Sequence, residues 1–289
     1  MSYSIGSKMM IVHDDVDDIS FQTWLLYPSV DVAEKINVGP YEIDACPEGN
    51  FAAGRFPLVV ISHGGGGSHL LYRSIATHLA QHGFWVAMPA HHRNNRLDNS
   101  LGDDDYNLTL RTRHVRLVID TLFEDWDTMH YLDAHRVHMI GHSIGGCTAL
   151  SIAGAKPWSV SRVPIEVTAD ERISSLVLLA PAAAWFQHPD SFLDVHLPIY
   201  VFSAEHDRIT PLWQTELIKQ KVMEPSLVTL ETVRNAGHLS FLSPFPAHMK
   251  SDDFPPSQDP AGFDRVAFHE ELKEKIRHFF EATSGFTAM

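Results

Sequence analysis

With 289 residues and 44% hydrophobic content, the chain is long enough to bury a large core. Its 22 basic against 36 acidic residues give a net charge of −14. That balance excludes nucleic acid or an anionic membrane surface as a partner, because no basic patch is left to neutralise phosphates. The two cysteines, Cys46 and Cys147, form no C-x-x-C pair, which suits free thiols in a reducing compartment. The first 18 residues have neither a basic start nor a long apolar run. No stretch reaches the roughly 18 apolar residues of a membrane span. A cytoplasmic protein without a membrane span is expected. The 19 histidines invite a metal hypothesis, with His91-His92 or His13 beside Asp14 as the pairs. None of the H-E-x-x-H, H-x-H or Cys/His ligand spacings is present, so neither a metal nor a cofactor is expected.

The apolar run at 9–12 and the alternating run at 20–27, separated by the acidic turn 14–18 and closed by Pro28, predict a hairpin at one edge of a sheet. Residues 31–55 carry scattered Pro, Gly and charge and predict an extended connection. Phe56–Ser62 is continuously apolar, as a strand buried on both faces must be. It runs into His63-Gly64-Gly65-Gly66-Gly67, where backbone N–H groups can approach a ligand closely. Residues 70–82 have helical periodicity ended by Gly83, and 84–88 form the next strand before Pro89. Strand, helix and strand in this order imply a right-handed parallel crossover.

Residues 91–106 are polar, and 109–131 predict a long amphipathic helix. The apolar run Val137-His138-Met139-Ile140 then stops at Gly141-His142-Ser143-Ile144-Gly145, with a helix expected over 147–155. A strand–turn–helix around G-x-S-x-G is the setting of a nucleophile elbow, in which a strained turn projects the Ser hydroxyl. An irregular insert at 156–171 precedes strands at 173–180, 198–204 and 227–233, and an amphipathic helix at 263–282 closes the chain. Pro211 is placed to open the helix after the 198–204 strand. Aromatic residues in 181–197 and 239–262 mark those segments, with 91–106, as candidate lid or pocket walls, core packing being the alternative.

A Ser hydroxyl becomes a nucleophile when a neighbouring base takes its proton, and the base needs a buried carboxylate to orient it. Just past the ends of successive strands the chain offers Ser143, then Asp207, then His238. Ser, acid, His is the α/β-hydrolase order, and all three can meet on one side of a parallel sheet. Glu205, two residues from Asp207, is the competing acid.

Several stretches resemble the dienelactone-hydrolase-like α/β hydrolases, a group that includes platelet-activating-factor acetylhydrolases. They are G-P-Y-E-I-D at 39–44, G-R-F-P-L-V-V-I-S-H-G-G-G-G at 54–67, H-L-A-Q-H-G-F-W-V-A-M-P at 78–89, G-H-S-I-G-G at 141–146, L-L-A-P-A at 178–182, E-H-D-R-I-T-P at 205–211 and N-A-G-H-L-S-F-L at 235–242. The resemblance spans most of the chain from residue 39. It implies an α/β-hydrolase fold in a single domain over 1–289: a mostly parallel central sheet, an antiparallel N-terminal hairpin and helices on both faces. It also implies the triad Ser143, Asp207 and His238, with an oxyanion hole from the N–H groups of Gly65 and Ile144. The chain departs from the group in carrying Ile144 where an aromatic is frequent, Gly65 where a larger residue is frequent, and His91-His92 in place of Asp-His or Asn-His. Dienelactone hydrolases proper use a Cys nucleophile, whereas Ser143 stands here, so dienelactone is not implied as substrate. The expected activity is hydrolysis of a small-molecule carboxylic ester through an acyl-enzyme. The alternatives are a thioesterase, amidase or acyl-transferring cyclase, and a non-catalytic binding protein on the same fold.

Overall fold

The computed structural model describes residues 2–285. The N-terminal hairpin pairs β1 (Ser4–Asp14) with β2 (Ile19–Ser29) antiparallel, from Ser4 opposite Ser29 to Asp14 opposite Ile19. Pro28 does not end β2: it pairs opposite Ile5, and its carbonyl accepts from the Ala52 N–H at 2.9 Å. The stretch expected as an extended connection holds a second hairpin, β3 (Glu34–Val38) and β4 (Tyr41–Pro47). Strand β3 is short and largely solvated and carries little hydrophobic signal, whereas β4 alternates, with Tyr41, Ile43 and Ala45 buried and Glu42 and Asp44 exposed.

The central elements are β5 (Phe56–Ser62), α1 (Arg73–Gln81), β6 (Trp85–Pro89), α2 (Tyr106–Glu124), β7 (Leu132–His142), α3 (Ile144–Ile152) and β8 (Ile173–Leu179). They are followed by β9 (Ile199–Ala204), α4 (Trp213–Lys221), β10 (Val228–Val233) and α5 (Arg265–Ser284). Helix α3 starts directly behind Ser143, three residues earlier than its apolar run suggests. Pro211 lies two residues ahead of α4, where its carbonyl accepts from the Gln214 N–H at 2.9 Å; it leads into the helix rather than opening its first turn.

The strands form one sheet in the order β10-β9-β8-β7-β5-β6-β2-β1-β4-β3. From β10 to β6 every neighbouring pair is parallel, and β2 joins β6 antiparallel. Contrary to the sequence expectation, the β1–β2 hairpin is not the edge: β4 adds to β1 and β3 takes the rim. Strand alternation sends successive side chains to opposite faces. In β5, Leu58 and Val60 pack with Val115, Ile119 and Leu150 of α2 and α3, while Val59 and Ile61 pack with Ile75 and Leu79 of α1 and Leu272 and Ile276 of α5. Two cores therefore sandwich the sheet. The carboxyl ends of β5, β7, β9 and β10 are left to carry loops on one rim, where open parallel sheets bind ligands.

Candidate active site

Between β7 and α3, Ser143 has φ 55° and ψ −121°, a backbone conformation that L residues rarely adopt. Its side chain is half-exposed, and among the described residues no hydrogen bond engages its hydroxyl. Flanking glycines permit the turn. A Cβ on Gly141 would lie 2.2 Å from the Gly145 carbonyl oxygen, and one on Gly145 would lie 2.0 Å from the Ser62 carbonyl oxygen. Both obstacles are backbone, so nothing soft can give way. Gly145→Ala is expected to destabilise the protein by at least about 3 kcal/mol, since the end of β5 must move away from α3. Gly65→Ala, whose Cβ would meet nothing closer than Ile144 Cγ2 at 3.6 Å, is expected to keep near-wild-type stability. Equal thermal midpoints for the two variants would contradict this account of the elbow.

The candidate acid and base come from two loops tied together by backbone. The Glu205 N–H donates to the Val233 carbonyl at 3.1 Å, and the His206 N–H to the Ala236 carbonyl at 2.8 Å. This register brings His238 Nδ1 to 2.7 Å from Asp207 Oδ2, with side-chain exposures of only 7% and 1%. The other carboxylate oxygen of Asp207 accepts from the N–H groups of Ile209 and Thr210, each at 2.8 Å. Burial alone would raise the Asp207 pKa. The hydrogen bond and charge of His238, together with Thr210, outweigh it and hold the group below the ordinary carboxylate value. Glu205 does not compete: its carboxylate accepts from the Asn235 N–H at 2.8 Å and stays at the surface. Thr210 is a further member. Its hydroxyl lies 2.8 Å from Asp207 Oδ2, 3.1 Å from His238 Nδ1 and 3.0 Å from the Ala180 carbonyl. It stands inside the E-H-D-R-I-T-P stretch, so the motif contained it unassigned.

Gly65 and Ile144 are neighbours across the site, as the 3.6 Å approach to Ile144 Cγ2 shows. Ile144 is the first residue of α3, so its N–H is one of the helix's orphan donors. Among the described residues the Gly65 N–H has no acceptor either. A chain of side chains links this loop to the base. The Gly64 N–H donates to the Tyr72 hydroxyl at 3.1 Å, and that hydroxyl donates to His142 Nδ1 at 2.8 Å. His142 Nε2–H then donates to the His238 carbonyl at 3.0 Å. This assignment requires a neutral His142. Burial first, then the neighbouring His238, push its pKa down to about 3, so it is neutral. Nothing in the sequence signals the Tyr72–His142 pair, which is 70 residues apart.

Behind the glycine loop lies a buried polar cluster around Arg111, which is fully enclosed. Its guanidinium donates to the His63 carbonyl, to Asn94 Oδ1 at 2.5 Å, to Thr148 Oγ1 at 3.1 Å and to Ser62 Oγ at 3.2 Å. No carboxylate is among these partners, and burial pushes the group down to about 9. The adjoining His63, His91 and His114 are held well below the ordinary histidine value, by burial first and by the Arg111 charge second. They are neutral, and Arg111 is the cluster's one cation. Cys147 is enclosed on the same side of the sheet, and burial pushes its thiol up to about 12, which makes it inert.

A cleft of about 1070 Å³ reaches Ile144. Two indoles wall it. The Trp158 N–H donates to the Trp185 carbonyl at 2.8 Å, which sets the two segments side by side. Trp185 Nε1 donates to Asp105 at 3.2 Å, and Trp158 stacks on His188 with 3.9 Å between ring centres. Of the expected wall segments, 91–106 contributes Asp103, Asp104 and Asp105, and 181–197 contributes Trp185 and His188. The insert at 156–171 supplies Trp158, a role its irregular sequence does not suggest. In 239–262 the core alternative holds for the aromatics Phe241 and Phe245, which are buried, Phe241 edge-on to Phe268 of α5.

A family model described as alpha/beta hydrolase fold matches residues 57–195. Among solved structures, a ferulic acid esterase from Streptomyces cinnamoneus is similar with a TM-score of 0.73 at 18% identity, covering 98% of this chain and 91% of that one. A dienelactone hydrolase from Anabaena variabilis is similar with a TM-score of 0.58 at 16% identity, covering 94% and 98%. A dienelactone hydrolase-like promiscuous phosphotriesterase from metagenomic libraries has a TM-score of 0.64 at 12% identity, covering 97% and 99%. No curated protein matches by sequence. The chain has the α/β-hydrolase fold, and the dienelactone-hydrolase-like resemblance of its motifs agrees with these neighbours. Among the described residues no helix is long and apolar enough to cross a membrane.

Proposed function

We propose that the protein is a serine hydrolase acting on a carboxylic ester. The observation that carries this reading is the Asp207–His238 pair at 2.7 Å on the rim where Ser143 stands in a strained turn with an unengaged hydroxyl. In the first half-reaction His238 takes the Ser143 proton as Oγ attacks the ester carbonyl. The carbonyl oxygen becomes anionic and accepts from the N–H groups of Gly65 and Ile144. Such preorganised donors contribute about 2.7–4 kcal/mol each in related chemistry. The enclosed Arg111 cation fixes the His63 carbonyl just ahead of that loop and adds a positive field behind the oxyanion. Asp207 holds the imidazole in the tautomer with Nδ1 protonated. The C–O bond to the alcohol then breaks, the alcohol leaves with the proton held by His238, and Ser143 carries the acyl group. In the second half-reaction water, deprotonated by His238, attacks that acyl group and releases the acid and free Ser143.

The cleft between Trp158 and Trp185 suits a flat or apolar part of the substrate, and the three carboxylates that line it disfavour an anionic one. The esterase and dienelactone hydrolase among the structural neighbours support ester chemistry. The test pairs a p-nitrophenyl ester series, from acetate to decanoate, with fluorophosphonate labelling. Turnover with label located on Ser143 is expected. Absence of both turnover and label would sink the reading in favour of a non-catalytic binding protein.

A further inference from the structure

We propose that His78, His82 and Glu274 form a binding site for a single zinc-class divalent cation that ties helix α5 to helix α1. His78 and His82 stand four residues apart on α1, which puts both rings on one face. Their centres are 4.3 Å apart. Glu274 comes from α5, which packs against that face, and its Oε1 lies 3.2 Å from His78 Nε2. One donor atom from each of the three residues falls within 4.8 Å of the others.

Two further observations point to a missing ligand. His78 is only 7% exposed, and its Nε2 is buried with no hydrogen-bond partner although it faces the carboxylate. A buried ring nitrogen left in this state is uncommon and calls for an explanation. A cation between Nε2 and Oε1 supplies one. The outer partners are also in place. His82 Nδ1–H donates to the His78 carbonyl at 2.7 Å, which fixes the tautomer and leaves the Nε2 lone pair free. Metal-binding histidines are characteristically oriented in this way by a carbonyl on the other nitrogen. Glu274 Oε2 is held by Arg277 at 2.7 Å, so Oε1 is the oxygen left to bind.

The charges facing the site are accounted for. Arg277 is shared between Glu274 and Glu281, the latter at 2.8 Å, Lys273 pairs with Glu270 at 2.6 Å, and the exposed His278 lies against Arg277 with its Nε2 3.9 Å from Glu274 Oε2, on the oxygen that does not face His78. Two imidazoles and one carboxylate suit zinc, with water completing the coordination; all-oxygen preferences make calcium and magnesium poor fits. Ligand distances of about 2.0–2.2 Å require the three groups to draw together, which the half-buried His82 and Glu274 can do by side-chain rotation.

The site is separate from the proposed hydrolase chemistry, so its test needs no substrate. Chelator-treated full-length protein is titrated with Zn2+ alone by calorimetry, and its thermal midpoint is followed. One equivalent bound per chain is expected, with the midpoint raised by about 4 °C at a hundredfold excess over Kd. Co2+ is expected to give visible absorption of a four- or five-coordinate ion. His82→Ala and Glu274→Gln, both at half-buried positions, are expected to keep the metal-free midpoint and to weaken Zn2+ binding at least tenfold. Failure to bind one saturable equivalent would overturn the proposal. So would unchanged binding in both variants, which would assign the metal to other histidines.

Discussion

Ser143→Ala is expected to lower ester hydrolysis by about 10⁴-fold or more while the fold stays intact. The size follows from the loss of the covalent route: without Oγ there is no acyl-enzyme, and only the oxyanion donors and binding remain. The structural effect should be small. The Ser143 hydroxyl makes no hydrogen bond among the described residues, so Ala removes no stabilising contact. Ala tolerates the turn at φ 55° about as well as Ser does. The thermal midpoint should stay within a degree or two of wild type, since substitutions that break no contact stay within about 0.5 kcal/mol. Asp207→Asn should approach the same loss in kcat, because an amide in place of the carboxylate no longer stabilises the charged imidazole. Steady-state kinetics of the purified variants decides the matter. Retained turnover in Ser143→Ala with intact folding would remove Ser143 from the mechanism.

The second large effect is on stability in mild acid. His63, His91, His114, His138, His142 and His269 are all buried. All six are held below the ordinary value of 6.5, burial being the largest cause in each: His138 and His142 to about 3, His269 to about 4, and the Arg111 neighbours well below. In the unfolded chain each takes a proton near pH 6.5, so the unfolded state binds more protons than the folded one below that pH. Folded stability is then full above 6.5 and falls as pH drops toward the folded-state values. One unit below 6.5, each such group costs about 1.4 kcal/mol. Six together come to about 8.4 kcal/mol, comparable to the roughly 5–15 kcal/mol by which whole proteins are stable. The protein should therefore lose more than about 10 °C of thermal midpoint between pH 7.5 and 5.5, well before carboxylates titrate. Circular-dichroism melts at pH 7.5, 6.5 and 5.5 measure this directly. A midpoint flat across that range would mean that the buried histidines accept protons without unfolding.

Buried charge and cleft shape work together on the rim of the sheet. Arg111 has no acid to neutralise it, and the carboxylate of Asp207 is turned toward His238. The region behind the glycine loop thus keeps a fixed positive charge, while Asp103, Asp104 and Asp105 line the cleft. For the proposed reaction, an ester that is neutral as it enters and anionic at one oxygen in the transition state meets the favourable sign at each stage.

The sequence by itself determined the parallel core of the sheet and the order of the three candidate residues. Continuous apolar runs such as Phe56–Ser62 have no amphipathic alternative, and strain at G-H-S-I-G can be read because a Cβ at Gly141 or Gly145 would collide with backbone. The place of Asp207 further into its loop already favours it over Glu205; what the tertiary structure adds is the register of two loops from β9 and β10, which sets Asp207 against His238 and leaves Glu205 on the Asn235 N–H. The alternation of Tyr41, Ile43 and Ala45 in β4 was legible, but β3 was hidden because a five-residue, largely solvated strand draws its definition from pairing with β4 and not from its own periodicity. The same holds for partners distant in the chain. Arg111 with His63, Tyr72 with His142, Trp158 with Trp185, and the His78–His82 pair with Glu274 meet only when helices close over the sheet. Local pattern records which face a residue must bury; which residue it meets there is set by how those faces pack.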